Sequence, residues 1–253
     1  MLSKRIIACL DVRNGSVVKG VNFEGLQVAG DPAALSRRYN REGIDEVVIL
    51  DVTATIEKRK ALADTIHAVA SEIFLPLCVG GGIKDEKHAD AAIEAGADKV
   101  SLNTAAIATP KLLTTLARRY GSQAVIVAID AKRVDRKFQI YVRSGQQATD
   151  RGAIEWAREA ADRGAGEILL TSIDRDGTKS GFDCELTAAV SDAVSIPVIA
   201  SGGAGTFDHF VDVFTIGQAH AALAASIFHY DEHAVSDLKN HLHLNGIPVR
   251  FPC

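Results

Sequence analysis

Two aspartates and two glycine-rich turns are the residues of this sequence best suited to chemistry. Asp11 ends the apolar run IIACLDV, and Asp130 ends the similar run VIVAIDA 119 positions later. The turns VGGGIK and ASGGAG, which begin at Val79 and Ala200, each follow an apolar run. Paired carboxyl groups can act as general acid and base when one stays protonated and the other ionised. Glycine backbone lets N–H groups surround phosphate oxygens, so the pattern predicts acid–base chemistry on a phosphorylated substrate.

These residues recur because the second half of the chain repeats the first. The matched pairs share an offset of 121 positions, and they are Gly43/Gly164, Glu46/Glu167, Pro76/Pro197, Gly81/Gly202, Gly82/Gly203, Gly96/Gly217 and Leu102/Leu223. A repeated phosphate turn predicts two phosphate sites on opposite rims, and hence a substrate with a phosphate at each end. The alternative is that one copy no longer binds anything.

The elements that must position these residues alternate between strand and helix. Strands are predicted near 5–11, 46–51, 76–80, 98–103, 124–130, 167–172, 197–201 and 221–225. Helices are predicted at 60–73, 85–95, 110–119, 153–163, 184–194, 207–216 and 231–244, and Asp31-Pro32 and Thr109-Pro110 are typical helix starts. Eight such units predict a single α/β domain over 1–253, a parallel (β/α)8 TIM barrel with half-barrel repeats of about 1–121 and 122–253. A doubly wound open sheet is the alternative, and the repeat favours closure.

Polar residues end most of the predicted strands, where the chemistry of such barrels lies. They are Asp11, Asp51, Gly80 to Gly82, Asn103-Thr104, Asp130, Thr171-Ser172, Ser201 to Gly203 and Ala225-Ser226. The first and fifth strands lie opposite each other in an eight-stranded barrel, so Asp11 and Asp130 are predicted to flank the substrate. Turn formation alone would also favour these residue types. The aspartates could instead cap helices or pair with Lys19 or Lys132.

Two loops are longer than a strand-to-helix connection needs. Residues 12–30 contain an Asn14-Gly15 hairpin signal and Lys19, and residues 131–149 contain the alternating pattern KFQIYVRS. Long ordered loops over a catalytic face are often lids. The second loop could equally be a surface hairpin.

Four charged residues are predicted at the opposite ends of the strands. Strand side chains alternate, so Arg5 shares a face with Asp11 and should point into the barrel floor. Glu46, Lys99 and Glu167 fall at the same level, and two cations and two anions there could neutralise one another. The sharper interpretation is a gate at the end of an axial passage, and the simpler one is a solvated rim of salt bridges.

Composition excludes several classes of protein. The chain has 253 residues, 47% of them hydrophobic but only 6% aromatic, which suits a parallel sheet of aliphatic residues. A net charge of −4 gives no field that would attract nucleic acid. No apolar run approaches the ~18 residues of a membrane span, and the N-terminus does not read as a signal peptide. Four cysteines without CxxC spacing predict neither a disulfide nor a metal site, and the expected location is cytoplasmic.

Taken together, the motifs resemble one family of enzymes along essentially the whole chain. They are IIACLDV, VVKGVNF, VGGGIK, DKVSLNT, VAIDAKR, LLTSIDRDGTKSGFD, IPVIASGGAG and AALAAS. The sequence is similar to the cyclase subunit of imidazole glycerol phosphate synthase, an enzyme of histidine biosynthesis.

The resemblance implies a reaction and a partner. Such enzymes combine ammonia with the bisphosphate phosphoribulosyl formimino-aminoimidazole carboxamide ribotide, and they release imidazole glycerol phosphate and aminoimidazole carboxamide ribotide. The ammonia is implied to come from a glutaminase subunit docked on the N-terminal face of the barrel. No metal or organic cofactor is implied.

The resemblance also assigns roles to individual residues. It implies that Asp11 and Asp130 are the acid–base pair and that Lys19 lies in a mobile loop over the site. One phosphate site would include Gly82, Asn103 and Thr104, and the other Asp176, Gly177, Gly203 and Ser226; Thr171 and Ser201 join the substrate-binding set as strand ends. The ammonia gate would be Arg5, Glu46, Lys99 and Glu167, with Asp98 facing the partner.

Two segments depart from the family pattern, and two other functions compete. Gln218 and His220 stand where the family usually has Gly and Asp, and Asp150 follows Thr149 where Gly is usual. The rival enzyme is the phosphoribosyl-formimino isomerase of the same pathway, which has a similar duplicated barrel but needs no ammonia gate. A non-catalytic barrel that binds phosphosugars is the alternative from another class.

Overall fold

The computed structural model describes residues 2–21, 24–52, 59–229 and 234–251. Its strands are β1 (Arg5–Arg13), β2 (Ser16–Val21), β3 (Glu24–Gly30), β4 (Glu46–Asp51), β5 (Leu77–Gly80), β6 (Lys99–Leu102), β7 (Val125–Val134), β8 (Lys137–Val142), β9 (Gln147–Gly152), β10 (Glu167–Ser172), β11 (Val198–Ser201) and β12 (Ala221–Ala224).

Helices follow most of these strands in the described ranges. They are α1 (Pro32–Glu42), α2 (Arg59–Ala70), α3 (Glu86–Glu94), α4 (Thr104–Ala108), α5 (Lys111–Tyr120), α6 (Ala153–Asp162), α7 (Cys184–Ser191), α8 (Phe207–Thr215), α9 (Ser226–His229) and α10 (Val235–Leu244). None of the described helices is long and apolar enough to cross a bilayer.

Backbone contacts divide the chain into two compact units. The first takes in residues up to Ile83, residues 87–100 and those from Leu223 onward. In it β1 pairs in parallel with β4, and β4 with β5, while β1 continues into the antiparallel hairpin of β2 and β3. The second unit takes in residues 84–86 and 101–222, and there β10 lies between β7 and β11 in parallel register.

The strand order identifies the fold class. The eight parallel strands follow one another as β1, β4, β5, β6, β7, β10, β11 and β12, and β12 is again a neighbour of β1. Strands β6 and β12 contribute residues to both units. A closed order of eight parallel strands, each followed by helix, is a (β/α)8 barrel, so the predicted fold class is confirmed. The half-barrel boundary near residue 121 stays a prediction.

Aliphatic strands and amphipathic helices build the core, as composition predicts. Residues Ile6 to Leu10 of β1 are all buried, which is typical of a parallel strand covered on both faces. Helix α5 buries Leu112, Leu113 and Leu116 at helical spacing and exposes its basic residues. The predicted bounds of most elements agree with the structure to within one to three residues.

The two predicted helix starts have different outcomes. The Asp31 carboxylate caps α1 by accepting the Ala34 N–H at 2.8 Å, with Pro32 in the first turn. The prediction for Thr109 is wrong, because α5 begins at Lys111 and no side chain caps it. Thr109 instead ends the short helix α4, which the sequence pattern did not predict. The start of the predicted helix 231–244 lies outside the described residues.

Both long loops form hairpins. Asn14 and Gly15 adopt positive φ angles of 54° and 77° between β1 and β2, as a two-residue hairpin turn requires. The second loop extends β7 into β8 and adds a third antiparallel strand, β9. Asn22 and Phe23, at the end of the motif KGVNF, lie outside the described residues.

Several element bounds recur at the offset found in the sequence. Strand β10 begins and ends 121 residues after β4, β11 after β5, and helix α8 after α3. These three pairs of elements therefore share the offset found in the sequence. Whether a two-fold axis relates the halves stays a prediction.

Candidate functional site

Asp11 lies in β1 of the first unit, between the buried residues Leu10 and Val12. Its Cα is paired with that of Leu50 in β4, and its side chain is partly exposed. The Cys9 thiol lies 3.9 Å from Asp11 Oδ1, which fits the alternation that places both on one face. Lys19 belongs to β2, where its backbone is paired with Gln27. The Lys19 side chain lies outside the described part of the structure.

The glycine turn after β5 packs against the end of β4. Gly81 and Gly82 have φ angles of 81° and 69°, in the left-handed region that favours glycine. A Cβ atom on Gly81 would lie 2.2 Å from the Asp51 carbonyl oxygen, whereas one on Gly82 would meet no atom within 4 Å. Gly81 thus allows the close approach of two backbones, and Gly82 leaves open space beside the turn.

Replacing Gly81 with alanine is expected to cost about 1–3 kcal/mol more unfolding free energy than replacing Gly82. Both changes put alanine in a left-handed conformation, at a cost of about 1–2 kcal/mol each. Only alanine at position 81 also clashes with backbone, and overpacking adds about 1–3 kcal/mol. Urea denaturation of the two variants measures the difference, and equal losses would contradict the assignment.

Asp130 of the second unit carries a carboxyl group whose pKa is strongly raised. Burial, and secondarily the negative charge of Asp176, raise the pKa of Asp130 to about 7, although a hydrogen bond from Asn103 opposes the shift. The Asn103 amide nitrogen donates to Asp130 Oδ2 at 2.8 Å. The carboxyl group can therefore hold or release a proton near neutral pH, as general acid–base catalysis requires.

Three predicted site residues form a row across neighbouring strands of the second unit. The Cα of Thr171 in β10 is paired with Asp130 in β7 on one side and with Ser201 in β11 on the other. All three side chains are partly exposed at the carboxyl ends of their strands. The row presents one carboxyl and two hydroxyl groups.

The loop after β10 lies on the second glycine turn. The Asp176 N–H donates to the Ser172 carbonyl at 3.0 Å, and Gly177 follows with a φ of 73°. A Cβ on Gly203 would lie 2.1 Å from the Gly181 carbonyl oxygen. A Cβ on the neighbouring Gly202 would lie 3.4 Å from the Asp176 Cα, so this loop and the glycine turn, which the resemblance assigned to one phosphate site, pack together.

Asn103 and Thr104 are connected to the rest of the second unit in ways that the sequence did not indicate. Asn103 was assigned to a phosphate, but its amide contacts Asp130, while its Oδ1 is buried with no protein partner in the described residues. The Thr104 hydroxyl accepts the Arg143 N–H at 3.1 Å from the turn between β8 and β9. These partners are 27 and 39 residues apart, so no local pattern could reveal them. The one available signal was that Asn103 has no polar counterpart in the second half.

Ser226 is the first residue of the short helix α9 in the first unit. An Arg38 guanidinium nitrogen donates to the Phe228 carbonyl at 2.6 Å and to the Tyr39 hydroxyl at 3.2 Å. A cation beside the last carbonyl groups of a helix satisfies acceptors that would otherwise lack partners. Arg38 thus fixes the helix that carries Ser226.

Three of the four charged residues predicted at the strand starts form a compact cluster in the first unit. Arg5 lies 2.9 Å from Glu46 Oε2, and Lys99 donates to both carboxylate oxygens of Glu46 at 3.0 Å. Glu46 is 1% exposed, against 26% for Arg5 and 13% for Lys99. We call Arg5, Glu46 and Lys99 the charge cluster. Glu167 belongs to the second unit, where its Cα is paired with Ile126.

Asp98 and His220 make the same kind of contact at the starts of β6 and β12. Asp98 Oδ2 accepts the Leu77 N–H at 2.8 Å, and His220 Nδ1 accepts the Val198 N–H at 3.2 Å. His220 is therefore the structural counterpart of Asp98 and not of Lys99, the residue 121 positions before it. Gln218, just before it, has a φ of 55°. This left-handed conformation explains why glycine would be favoured there.

The second departure from the family pattern also has a structural account. Arg151 lies 2.8 Å from Glu159 of α6, and its guanidinium is 4.9 Å from the centre of the buried Trp156 ring. The segment after Asp150 is thus tied to α6 by a charge pair and a cation–π contact.

Among the residues the structure describes, no group of three or more His, Cys, Asp or Glu is arranged to hold a metal ion.

Comparisons with known proteins agree with the motifs. The family described as "Histidine biosynthesis protein" matches residues 5–234. An imidazole glycerol phosphate synthase subunit HisF from Acidobacterium capsulatum is 56% identical over 253 residues, which cover all of both chains. A second subunit of that name, from Alkaliphilus metalliredigens, is 55% identical over 251 residues, or 99% of this chain and all of the relative. The resemblance inferred from the motifs is confirmed, and the chain belongs to the HisF branch of the histidine biosynthesis protein family.

Proposed function

We propose that this chain is the cyclase subunit of an imidazole glycerol phosphate synthase. It combines ammonia with phosphoribulosyl formimino-aminoimidazole carboxamide ribotide to form imidazole glycerol phosphate and aminoimidazole carboxamide ribotide. The observation that carries the proposal is the Asp130 carboxyl, which has a pKa of about 7 and lies in a row with Thr171 and Ser201. End-to-end identity with two HisF subunits supports it.

Asp11 and Asp130 would transfer protons as acid and base. Each lies at the carboxyl end of a parallel strand with its side chain partly exposed. Asn103 would hold the Asp130 carboxylate in one orientation through its 2.8 Å hydrogen bond. A positioned group with a pKa near the working pH suits general acid–base catalysis.

The two glycine turns would each receive one phosphate of the substrate. Gly82 leaves open space beside the first turn, near the end of β5. Gly203 and the Asp176–Gly177 loop pack together at the second, and Ser226 would add a hydroxyl at the start of α9. Lys19 would lie in the loop that covers the substrate. With a net charge of −4 the chain as a whole does not attract anions, so local N–H groups must supply the phosphate affinity.

The partner would be a glutaminase that docks beside the starts of the strands in the first unit. Exposed apolar side chains there support this face: Leu2 before β1 is 90% exposed and Phe74 before β5 is 100% exposed. Asp98, exposed at the start of β6, would lie on the same rim. Large exposed apolar residues rimmed by charge are typical of protein interfaces. As part of this proposal the enzyme acts in the cytoplasm.

One assay tests the reaction. The purified chain is mixed with the bisphosphate and a high concentration of ammonium salt, and release of the aminoimidazole ribotide is followed. Turnover without any partner is the expected result. A folded chain that leaves the bisphosphate unchanged would overturn the proposal. In a separate reaction, isomerisation of the phosphoribosyl-formimino precursor to this bisphosphate would instead favour the isomerase. The isomerase reaction uses no ammonia, so an isomerase function would not account for the charge cluster.

Replacing Lys99 with alanine is expected to lower glutamine-driven turnover of the complex several-fold while leaving ammonium-driven turnover within about twofold. Lys99 holds both oxygens of Glu46 but lies at the start of β6, away from the strand ends that carry the aspartates. Removing the Lys99 side chain would disturb the passage of ammonia but not the reaction proposed at Asp11 and Asp130. The two rates are compared in the same preparation, and an equal loss in both would count against a gate.

A further inference from the structure

A buried ion pair joins the C-terminal helix to the first parallel strands of the first unit. Lys239 of α10 donates to Asp45 Oδ1 at 2.8 Å, and the two side chains are only 1% and 5% exposed. The other oxygen of Asp45 accepts the Ile6 N–H at 2.8 Å. Lys239 also donates to the Arg250 carbonyl at 2.7 Å. One lysine therefore ties α10, the C-terminal segment, β1 and the start of β4 together.

Stability alone is a poor explanation for this pair. Removing two charges from water is costly, and a well-packed apolar pair of similar volume often serves folding as well or better. The attested use of buried charges is to fix one arrangement among several. Here both carboxylate oxygens of Asp45 accept a hydrogen bond and Lys239 donates two, as such a role requires.

The residues that Asp45 joins are the direct neighbours of the charge cluster. Ile6 follows Arg5, and Glu46 follows Asp45. The Asp45 N–H donates to the Ile6 carbonyl at 3.0 Å while its carboxylate receives the Ile6 N–H, so the two main chains are held in both directions. A shift of Asp45 would be passed to the Arg5–Glu46 contact, which is only 2.9 Å long.

The second unit shows that the strand pairing itself does not need the carboxylate. Gly166 lies 121 residues after Asp45, and its N–H donates to the Val125 carbonyl at 2.9 Å, as Asp45 does to Ile6. The same backbone bond thus forms with no side chain at all. The Asp45 carboxylate is therefore not needed for strand pairing. The two hydrogen bonds that it accepts, from Ile6 and Lys239, lie beside the charge cluster.

The segment held by Lys239 also carries exposed apolar side chains. Leu244 at the end of α10 is 84% exposed, and Phe251 is 41% exposed. The Lys4 N–H donates to the Pro248 carbonyl at 2.7 Å, so this segment runs beside the start of β1. It therefore lies next to residues 2–4, which precede β1 on the side proposed to receive the partner.

We infer that Lys239 and Asp45 are positioning residues that hold the charge cluster in place from the C-terminal segment and transmit partner docking to it. The inference rests on the proposed function, because it assigns the pair to control of ammonia supply. A partner that presses on Leu244 and Phe251 would act on Lys239, then on Asp45, and through the main chain on Arg5 and Glu46. Lys239 and Asp45 form hydrogen bonds with Ile6, Arg250 and each other, and Asp45 lies just before β4, at the opposite end from Asp51.

The test separates ammonia transfer from chemistry in Lys239→Met, a neutral change of similar length. The complex with the glutaminase is given glutamine, and the product formed per glutamate released is measured. This coupling ratio is expected to fall at least threefold, while ammonium-driven turnover of the same variant stays within twofold. Arg37→Met is the matched control, because it breaks the exposed Arg37–Glu72 pair of the same unit and should change neither rate.

Two results would overturn the inference. The first is an unchanged coupling ratio in folded Lys239→Met, and the second is a parallel loss of both activities, which a merely structural role predicts. If Lys239→Met does not fold, Asp45→Asn replaces it, because the amide oxygen can still accept the Ile6 N–H while the charge is lost. Ammonium-driven turnover of the unmodified chain is measured first, so a failure of the proposed function itself is recognised separately.

Discussion

Asp130→Asn is expected to lower kcat of the ammonium-driven reaction by about 10²–10⁴-fold, the usual contribution of a positioned acid or base. The amide has the same shape as the carboxylate and keeps the contact with Asn103 through its oxygen, but it cannot exchange a proton. Binding should survive, because the hydroxyl groups of Thr171 and Ser201 and the glycine turns are unchanged. The loss should therefore appear in kcat and much less in KM.

The control for this change is Asp162→Asn, which removes an exposed charge at the end of α6 in the same unit. It should leave kcat within about twofold of the unmodified chain, as surface substitutions usually do. Steady-state measurements of kcat and KM for both variants test this prediction. An Asp130→Asn variant with nearly full activity would remove Asp130 from the mechanism.

Asp130→Asn is also expected to be more stable than the unmodified chain at pH 8, by up to about 4 kcal/mol. The pKa of Asp130 is raised to about 7 in the folded chain, from 3.8. Between these values the folded state binds the proton more strongly than the unfolded state. Stability from this group is therefore present below about pH 4, falls as the pH rises, and is fully lost above about pH 7. Each pKa unit corresponds to about 1.4 kcal/mol, and partial exposure of Asp130 makes 4 kcal/mol an upper value.

Urea denaturation at pH 5 and pH 8 measures this effect. The stability difference between Asp130→Asn and the unmodified chain should grow from the lower to the higher pH, while the difference for Asp162→Asn stays constant. If the unfolding free energies of Asp130→Asn and the unmodified chain change equally with pH, the ionised Asp130 carboxyl does not destabilise the folded chain. A gain in stability together with a loss of activity is expected where a site is built for chemistry and not for folding.

Alternation and repetition were sufficient to predict much of this molecule. Eight strand-like runs predicted the closed barrel, and counting every second residue placed Arg5 and Asp11 on one face of β1. Asp130, Thr171 and Ser201 were each also expected at the end of a strand, although their row was not predicted. These predictions succeed because they depend on local periodicity.

The contacts that tune the site could not be predicted in the same way. Asn103 reaches Asp130 over 27 positions, and Lys239 reaches Asp45 over 194. Such pairs depend on how the strands and helices meet and not on any short pattern. The wrong prediction at Thr109 has a related cause, because the five-residue helix α4 is too short to show a helical period and takes Thr109 as its last cap.

Asp45 and Gly166 make the same backbone bond, and this likeness bears on how the two halves could diverge. In the first half a carboxylate stands at a position where the backbone bond is the same with or without a side chain. In the second half that route is closed, because a Cβ atom on Gly166 would lie 2.2 Å from the Ser122 carbonyl oxygen. Any single substitution at Gly166 meets this steric barrier first. Crowding at Gly166 therefore keeps a matching carboxylate out of the second half, whatever selection acts on the activity.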